Sequence, residues 1–343
     1  TDDCAGPISA QNVLLHPYVD AGVFETARGG ILRQGLAFDR CDVAVVTNVG
    51  LGDHLGLAYI HTVDDLAVVK RVIVDNVAPN GMIVLNAADP IVARMADTVT
   101  SAITFFALDQ HLPLLISRRE MGQRILYIDE GFVVAEQGAF QWRMALKDIP
   151  LTMNGRIGFQ VENVLAAVGA AWGLGRDWAE IQAGLNGFVS STDMVPGRFN
   201  LFAFNGATVI ADYGHNSDAI TALCKAVENM PARQRIVVIS GAGDRRDEDI
   251  RQQTEILGDV FDDVILYQDA CQRGRTDGEV IGLLRDGLAK AQRTQQVDEI
   301  YGEFNAIDAA LTRLQPDDVC LILIDQVDAA LAYLRGKTEQ VAR

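Results

Sequence analysis

Glu25 and His54 carry the side chains best suited to chemistry near the start of this 343-residue chain, and each closes a short apolar run. Asp20-Ala-Gly-Val-Phe-Glu25 leads into Thr26-Ala-Arg-Gly-Gly30, and Val43-Ala-Val-Val-Thr-Asn48 leads into Val49-Gly-Leu-Gly-Asp53-His54-Leu55-Gly56. If both runs are buried parallel strands, the two side chains stand beyond neighbouring carboxyl ends, the rim where open α/β sheets bind ligands. An acid beside an imidazole there suits a metal or phosphate-transfer site better than packing.

A third candidate comes from helical spacing. On a helix expected over 62–77, Leu66, Lys70, Ile73 and Val77 fall on one face, flanked by Val74. A lysine there is unusual. On spacing alone a snorkelling ammonium is the favoured reading. Further along, Asp212-Tyr-Gly-His215-Asn216-Ser-Asp218 follows an apolar strand and opens a helix that Asn216 or Ser217 can cap. An ordinary polar strand–turn–helix junction explains it equally well. Gly241-Ala-Gly-Asp244-Arg245-Arg-Asp247-Glu-Asp249 also joins a strand to a helix. Its glycines admit close ligand approach, and two arginines in the first turn would oppose the helix dipole, which favours a recognition loop over a solvated cap. Arg198, in Pro196-Gly-Arg198, is placed to reach a ligand at a domain hinge. Arg273-Gly-Arg275 has similar character in a weaker context, and each of these also reads as an ordinary surface arginine. His16, His61 and His111 stand isolated, and Trp142, Trp172 and Trp178 read as packing residues. No Rossmann G-x-G-x-x-G, G-x-S-x-G or H-E-x-x-H occurs.

The elements that must position these residues alternate. Strands are expected at 20–25, 43–48, 82–86 and 102–107, with helices at 62–77 and 89–98, a βαβ order that implies a mainly parallel sheet. Asp129-Glu-Gly and Glu136-Gln-Gly mark turns of a β-meander over 124–145, and helices follow at 159–173 and 177–187. Ser190–Gly197 has linker composition, so domains are expected at 1–193 and 194–343. The second opens with a hairpin turning at Asn205-Gly206. It continues as helix 217–230, strand 235–240, helix 247–260, strand 263–268, helices 277–291 and 303–314, strand 319–324 and helix 326–336. The expected class is α/β: a mainly parallel central domain with a small meander, then a doubly wound, Rossmann-like domain.

Composition bounds the partners. The chain is 49% hydrophobic and carries a net charge of −17, which disfavours nonspecific nucleic-acid binding. No stretch reads as a bilayer span or signal peptide. Five scattered cysteines without C-x-x-C read as reduced cytoplasmic thiols. The sequence is compatible with a homo-oligomer. It begins without Met, inside an apparent domain, and reads as a fragment.

Together these residues resemble the Mur-ligase-like half of the cyanophycin synthetases, over nearly the whole chain. The narrowest signature is Glu25-Thr-Ala-Arg-Gly-Gly-Ile-Leu-Arg33 followed by Phe38-Asp-Arg-Cys-Asp42. Asp3–Ala10, Gly35–Phe38, Thr47-Asn48, Asp53–Gly56, Pro196–Arg198 and Gly243–Asp249 add to it. The resemblance implies an ATP-dependent amide ligase. ATP would phosphorylate a carboxylate and an amine would attack the acyl phosphate, joining arginine to the side-chain carboxylates of a polyaspartate or cyanophycin primer. It implies Mg2+ at Glu25 and His54, with Lys70 matching a lysine carbamylated in many Mur ligases and thereby turned into a metal-binding carboxylate. These three are the implied catalytic residues. Asn163 matches an adenine-side asparagine, Arg198 and Asp212 ribose contacts, and His215 and Asn216 an Asp-Tyr-Ala-His-Asn motif in which Gly214 replaces alanine and Ser217 the usual proline. Arg28, Asp244, Arg245 and Asp247 are implied on the substrate side.

Magnesium would supply the cations that two anionic reactants need. A mobile hinge at 190–197 would admit ATP and then exclude water. The departure is the Gly-x-x-Gly-Lys-Ser/Thr loop on which Mur ligases hold ATP phosphates, since none occurs here. The chain is therefore expected to bind ATP poorly. Competing readings are a loop-less binding or regulatory paralogue and a ligase for another poly-amino acid.

Overall fold

The computed structural model describes residues 6–50, 59–269 and 272–340. The chain forms two compact units, Thr1–Gly155 with Gln160–Gly187, and Arg156–Phe159 with Phe188–Arg343. The changeover at 187/188 falls just before the Ser190–Gly197 segment.

The first unit begins with two short helices, α1 (Pro7–Leu14) and α2 (Arg28–Gln34). Its sheet runs in sequence order: β1 (Cys41–Val46), β2 (Val77–Asn86), β3 (Ala102–Asp109), β4 (Ile125–Asp129), β5 (Phe132–Gln137), β6 (Phe140–Ala145). The first four strands are parallel, and β4–β6 form the antiparallel meander. Alternation splits the core. Ile83, Leu85, Phe105 and Ile125 face α3 (Val63–Asp75), α4 (Pro90–Arg94) and α5 (Pro113–Glu120). Met82, Val84, Phe106 and Leu126 face Val164, Leu165 and Val168 of α6 (Gly158–Gly173) and Ile181 of α7 (Trp178–Gly187).

Two expectations in this unit fail. Residues 20–25 are not a strand: 21–27 run as irregular backbone. Only Val23 and Phe24 are large and apolar there, and Val23 is 97% exposed, so the segment has too little surface to bury against a sheet. The Lys70 face is also misdrawn. The side chain of Asn76 donates back to Val72 O (2.7 Å), the helix ends at Asp75, and Val77 belongs to β2. The buried stripe is Leu66, Val69 and Val74, with Lys70 half-buried beside it. At the other end Thr62 and Asp65 form a reciprocal capping box.

Among the described residues the second unit holds seven strands: β7 (Asn200–Phe204), β8 (Ala207–Asp212), β9 (Arg235–Ile239), β10 (Asp263–Gln268), β11 (Gln296–Tyr301), β12 (Val319–Leu323) and β13 (Glu339–Gln340). Their order is β11-β10-β9-β12-β8-β7-β13, parallel from β11 to β8. Asn205 (φ 50°) and Gly206 (φ 81°) make the left-handed two-residue turn between β7 and β8. Val238, Ile265 and Ile322 pack on α11 (Glu303–Arg313) and α12 (Val327–Lys337). Val237, Ile239 and Leu321 point to the opposite face, that of α8 (Ser217–Glu228), α9 (Asp247–Gly258) and α10 (Glu279–Leu288). The sequence reading left out β11. Gln296-Val-Asp-Glu-Ile-Tyr301 is too charged to read as a strand, and charge is how an edge strand resists further pairing.

Helices α9 and α10 approach closely. Thr254 Oγ1 donates to Leu284 O at 2.7 Å, and a Cβ on Gly287 would lie 2.2 Å from Arg251 O and from Thr254 Oγ1.

Cys224 and Cys320 are buried in this unit. Burial pushes the Cys224 thiol up to about 12, and the Cys320 thiol far above its usual range. Since the thiolate is the reactive form, both are expected to resist iodoacetamide in the native protein at pH 8 and to react only after denaturation. Peptide mass mapping checks this, and rapid native labelling of either would show that the second core opens readily. No helix among the described residues is long and apolar enough to cross a membrane.

Candidate functional site

In the second unit, β8 through β10 and β12 deliver four turns to one rim. The connections after β9 and β12 are adjacent, and their helices, α9 and α12, lie on opposite faces of the sheet, which makes the β9/β12 gap a topological switch point. A hollow of about 430 Å³ opens there, lined by Tyr213, His215, Gly241, Asp269, Arg273 and Asp325 among others.

Asp212 anchors one side. Its two carboxylate oxygens accept from Phe199 N (2.7 Å) and Gly214 N (2.6 Å), and Phe199 is held at φ 50°. Burial raises the carboxyl above its ordinary range, against those two bonds and the Arg198 charge. The side chain is thus spent on shaping the Pro196–Asn200 turn, from which the exposed Arg198 projects. Asn200 reinforces that turn by accepting from Gly197 N at 2.7 Å.

His215 meets Tyr213 O through Nδ1 at 2.8 Å. A carbonyl only accepts, so Nδ1 carries the proton and Nε2 keeps its lone pair. Burial lowers the imidazole below its ordinary range, and the Arg245, Arg273 and Arg198 charges add to that, against the Tyr213 bond. The ring is neutral at pH 7. Asn216 caps α8, its Oδ1 accepting from Ala219 N at 2.8 Å.

Asp244 and Asp247 are exposed and Arg245 is buried. The expectation that two arginines oppose the α9 dipole is corrected. The helix starts at Asp247, Arg245 precedes it, and Arg246 at the N-cap is gripped by both oxygens of Asp249 (2.9 and 2.7 Å). The acids Asp247, Glu248 and Asp249 fill the favourable first turn.

The structure therefore gathers Arg198, Asp212, His215 and Asn216, with the Asp244–Asp247 turn nearby. It adds residues that sequence reasoning missed or set aside. Arg273 pairs with Asp325 (3.1 Å) and Asp244 (3.6 Å). Asp325 is raised above its ordinary range by burial and by a hydrogen bond with Asp269. Buried Glu303 accepts from Asp325 N (2.9 Å) and Gln326 N (3.2 Å), fixing the turn after β12. One signal was available: Asp269 and Asp325 follow apolar strands almost directly, as Asp212 ends one.

The first-unit candidates are spread over separate elements. Glu25 is exposed on irregular backbone beside a hollow of about 250 Å³ lined by Pro7, Phe24, Ile31 and Phe38. Arg28 opens α2, which packs on α3, the helix of Lys70. Asn163 is exposed on α6 and donates to Gln160 Oε1 at 3.1 Å. His54 lies outside the described residues. Among those described, no three His, Cys, Asp or Glu side chains gather into a metal cage. A single exposed carboxylate nevertheless fits magnesium, which is commonly held by one or two carboxylates, water and substrate phosphates.

The profile described as the Mur ligase middle domain matches residues 7–171, and the Mur ligase glutamate ligase domain matches 197–323. The chain belongs to the Mur ligase superfamily. It is 38% identical to the cyanophycin synthetase of Synechocystis sp., over 98% of this chain and 38% of that protein. With the cyanophycin synthetase of Geminocystis herdmanii it shares 38% identity, over 97% of this chain and 38% of the relative. The chain thus spans under half the length of these curated relatives. Among solved structures, E. coli FolC in complex with DHPP and ADP aligns at a TM-score of 0.61 and 18% identity. That alignment covers 86% of this chain and 62% of FolC. At this identity the likeness establishes the α/β fold, which is the Mur-ligase-like architecture expected from the sequence.

Proposed function

We propose that the chain is the amide-ligase portion of a cyanophycin-synthesising enzyme, joining arginine to aspartate side chains of a polyaspartate backbone at the expense of ATP. One observation carries this reading. Arg198, Asp212, His215 and Asn216 lie about the turn that follows β8, beside the switch-point hollow that His215 lines, in a chain that matches cyanophycin synthetases across 98% of its own length.

The γ-phosphoryl group of ATP passes to a side-chain carboxylate with release of ADP, and the α-amine of arginine attacks the resulting acyl phosphate, forming the amide and releasing inorganic phosphate and a proton. Arg198 offers a guanidinium for anionic nucleotide groups, on a turn whose shape Asp212 fixes. His215, neutral with its Nε2 lone pair, accepts a hydrogen bond from a ligand donor without adding charge. The exposed acids Asp244 and Asp247 suit a cationic amine. Magnesium, when bound, neutralises phosphate charge, and Glu25 supplies a carboxylate for it, with His54 and a carbamylated Lys70 as further ligands. Asn163 takes the adenine side and Arg28 the substrate side. The enzyme acts in the cytoplasm.

Phosphate release in the presence of ATP, a polyaspartate-type primer and one amino acid at a time tests the reading. Arginine-dependent release, lost in Arg198→Ala, is the expected result. Release with another amino acid instead would point to a different poly-amino-acid ligase. Primer binding without any release would point to a binding module.

A further inference from the structure

Arg275 takes no part in lining the switch-point hollow, yet it makes four polar contacts beside it. Its Nε donates to Gly243 O at 2.7 Å and its Nη2 to Arg245 O at 2.7 Å. Nη2 also meets Asp247 Oδ1 at 2.9 Å, and Nη1 donates to Glu279 Oε1 at 2.7 Å. The side chain is 16% exposed. One guanidinium therefore ties the turn after β9 to the start of α10. Two of its acceptors are main-chain carbonyls, which point at it only when the 243–245 backbone is folded as seen. The turn is tight on its other side too, since a Cβ on Gly243 would lie 2.1 Å from Gln272 O.

We propose that Arg275 is a positioning residue for the amine substrate, acting through the Gly241–Asp247 turn and not by contact. This rests on the amide-ligase reading and deepens it. Gly241 and Ala242 line the hollow, Asp244 is exposed on the same turn, Asp247 is paired with Arg275 itself, and Arg275 fixes the backbone that carries all four. A planar fork with donors on three nitrogens can satisfy these four acceptors together. A lysine ammonium, a single point with three donors on a longer swing, cannot.

The experiment uses the longest natural chain that carries this sequence, with Arg275→Ala and Arg275→Lys compared against wild type. Two readouts are taken: amide hydrogen exchange over 241–247, and KM for arginine against KM for ATP. Expected for both variants is faster exchange confined to the turn and a KM for arginine raised at least 10-fold, with KM for ATP unchanged. Millimolar guanidinium should restore the arginine KM of Arg275→Ala alone. Unchanged exchange at 241–247, or kcat and both KM values falling or rising together without guanidinium rescue, would overturn the proposal. Wild type that releases no phosphate with arginine would overturn the function reading, and exchange in the variants would then still decide whether Arg275 holds the turn.

Discussion

Asp212→Ala should cost the second unit about 3 kcal/mol of stability and weaken nucleotide binding more than 10-fold. The carboxylate accepts from Phe199 N and Gly214 N, both buried bonds. Truncation leaves two N–H groups without an acceptor, and each such loss costs roughly 1–3 kcal/mol. It also frees Phe199 from a left-handed conformation that costs a residue with a Cβ about 1–2 kcal/mol, so the turn bearing Arg198 should relax away from its present shape. Asp212→Asn is the sharper variant. It keeps the volume and one acceptor oxygen, but turns an NH2 toward the second N–H. Most of the loss should therefore persist. Urea denaturation followed by far-UV circular dichroism, with nucleotide titration on the folded variant, measures both effects. An Asn variant as stable as wild type would mean that Asp212 fills space and does not shape the turn.

The second large effect concerns Gly287. At an ordinary site inside a helix, glycine to alanine stabilises by about 1 kcal/mol. Here the new Cβ would sit 2.2 Å from Arg251 O and Thr254 Oγ1, and a helix carbonyl cannot move without its helix. Overpacking of this kind costs about 1–3 kcal/mol, occasionally more. The net expectation is a loss of about 2 kcal/mol, with Gly287→Val worse, accompanied by loss of the Thr254 Oγ1 to Leu284 O bond. The sign decides: a more stable Gly287→Ala would show that α9 and α10 do not meet this closely. Because α9 begins at Asp247, loosening it should also disturb the switch-point turn.

Much of the architecture was legible because it rests on periodicity. Apolar strands buried on both faces, such as β2, β9 and β12, read as continuous runs, and Asn205-Gly206 and Asp129-Glu-Gly named their own turns. What failed was local pattern without surface to bury. Residues 20–25 resembled a strand in composition yet hold only two large apolar side chains, whereas β11 is a strand whose charges conceal it. Lys70 was misplaced by one misjudged helix end, which the Asn76 side chain decides. Of the candidate site, Asp212, His215 and Asn216 stood out in the sequence because they sit on a recognisable strand–turn–helix junction, and Arg198 because it sits at the expected domain hinge. Asp269, Asp325 and Glu303 did not, because only the strand order β9-β12 brings their loops beside that junction, and a single sequence does not announce strand order.

The three tryptophans lie in the first unit, where Trp178 stacks on Trp142 at 4.8 Å and contacts Trp172 at 5.2 Å, while Arg124 lies 4.5 Å over Trp172. The second unit contributes tyrosines but no indole. Intrinsic emission excited at the red edge is therefore an optical tag on one half of the molecule. Paired with far-UV dichroism, which sees both halves, it separates their melting without any label.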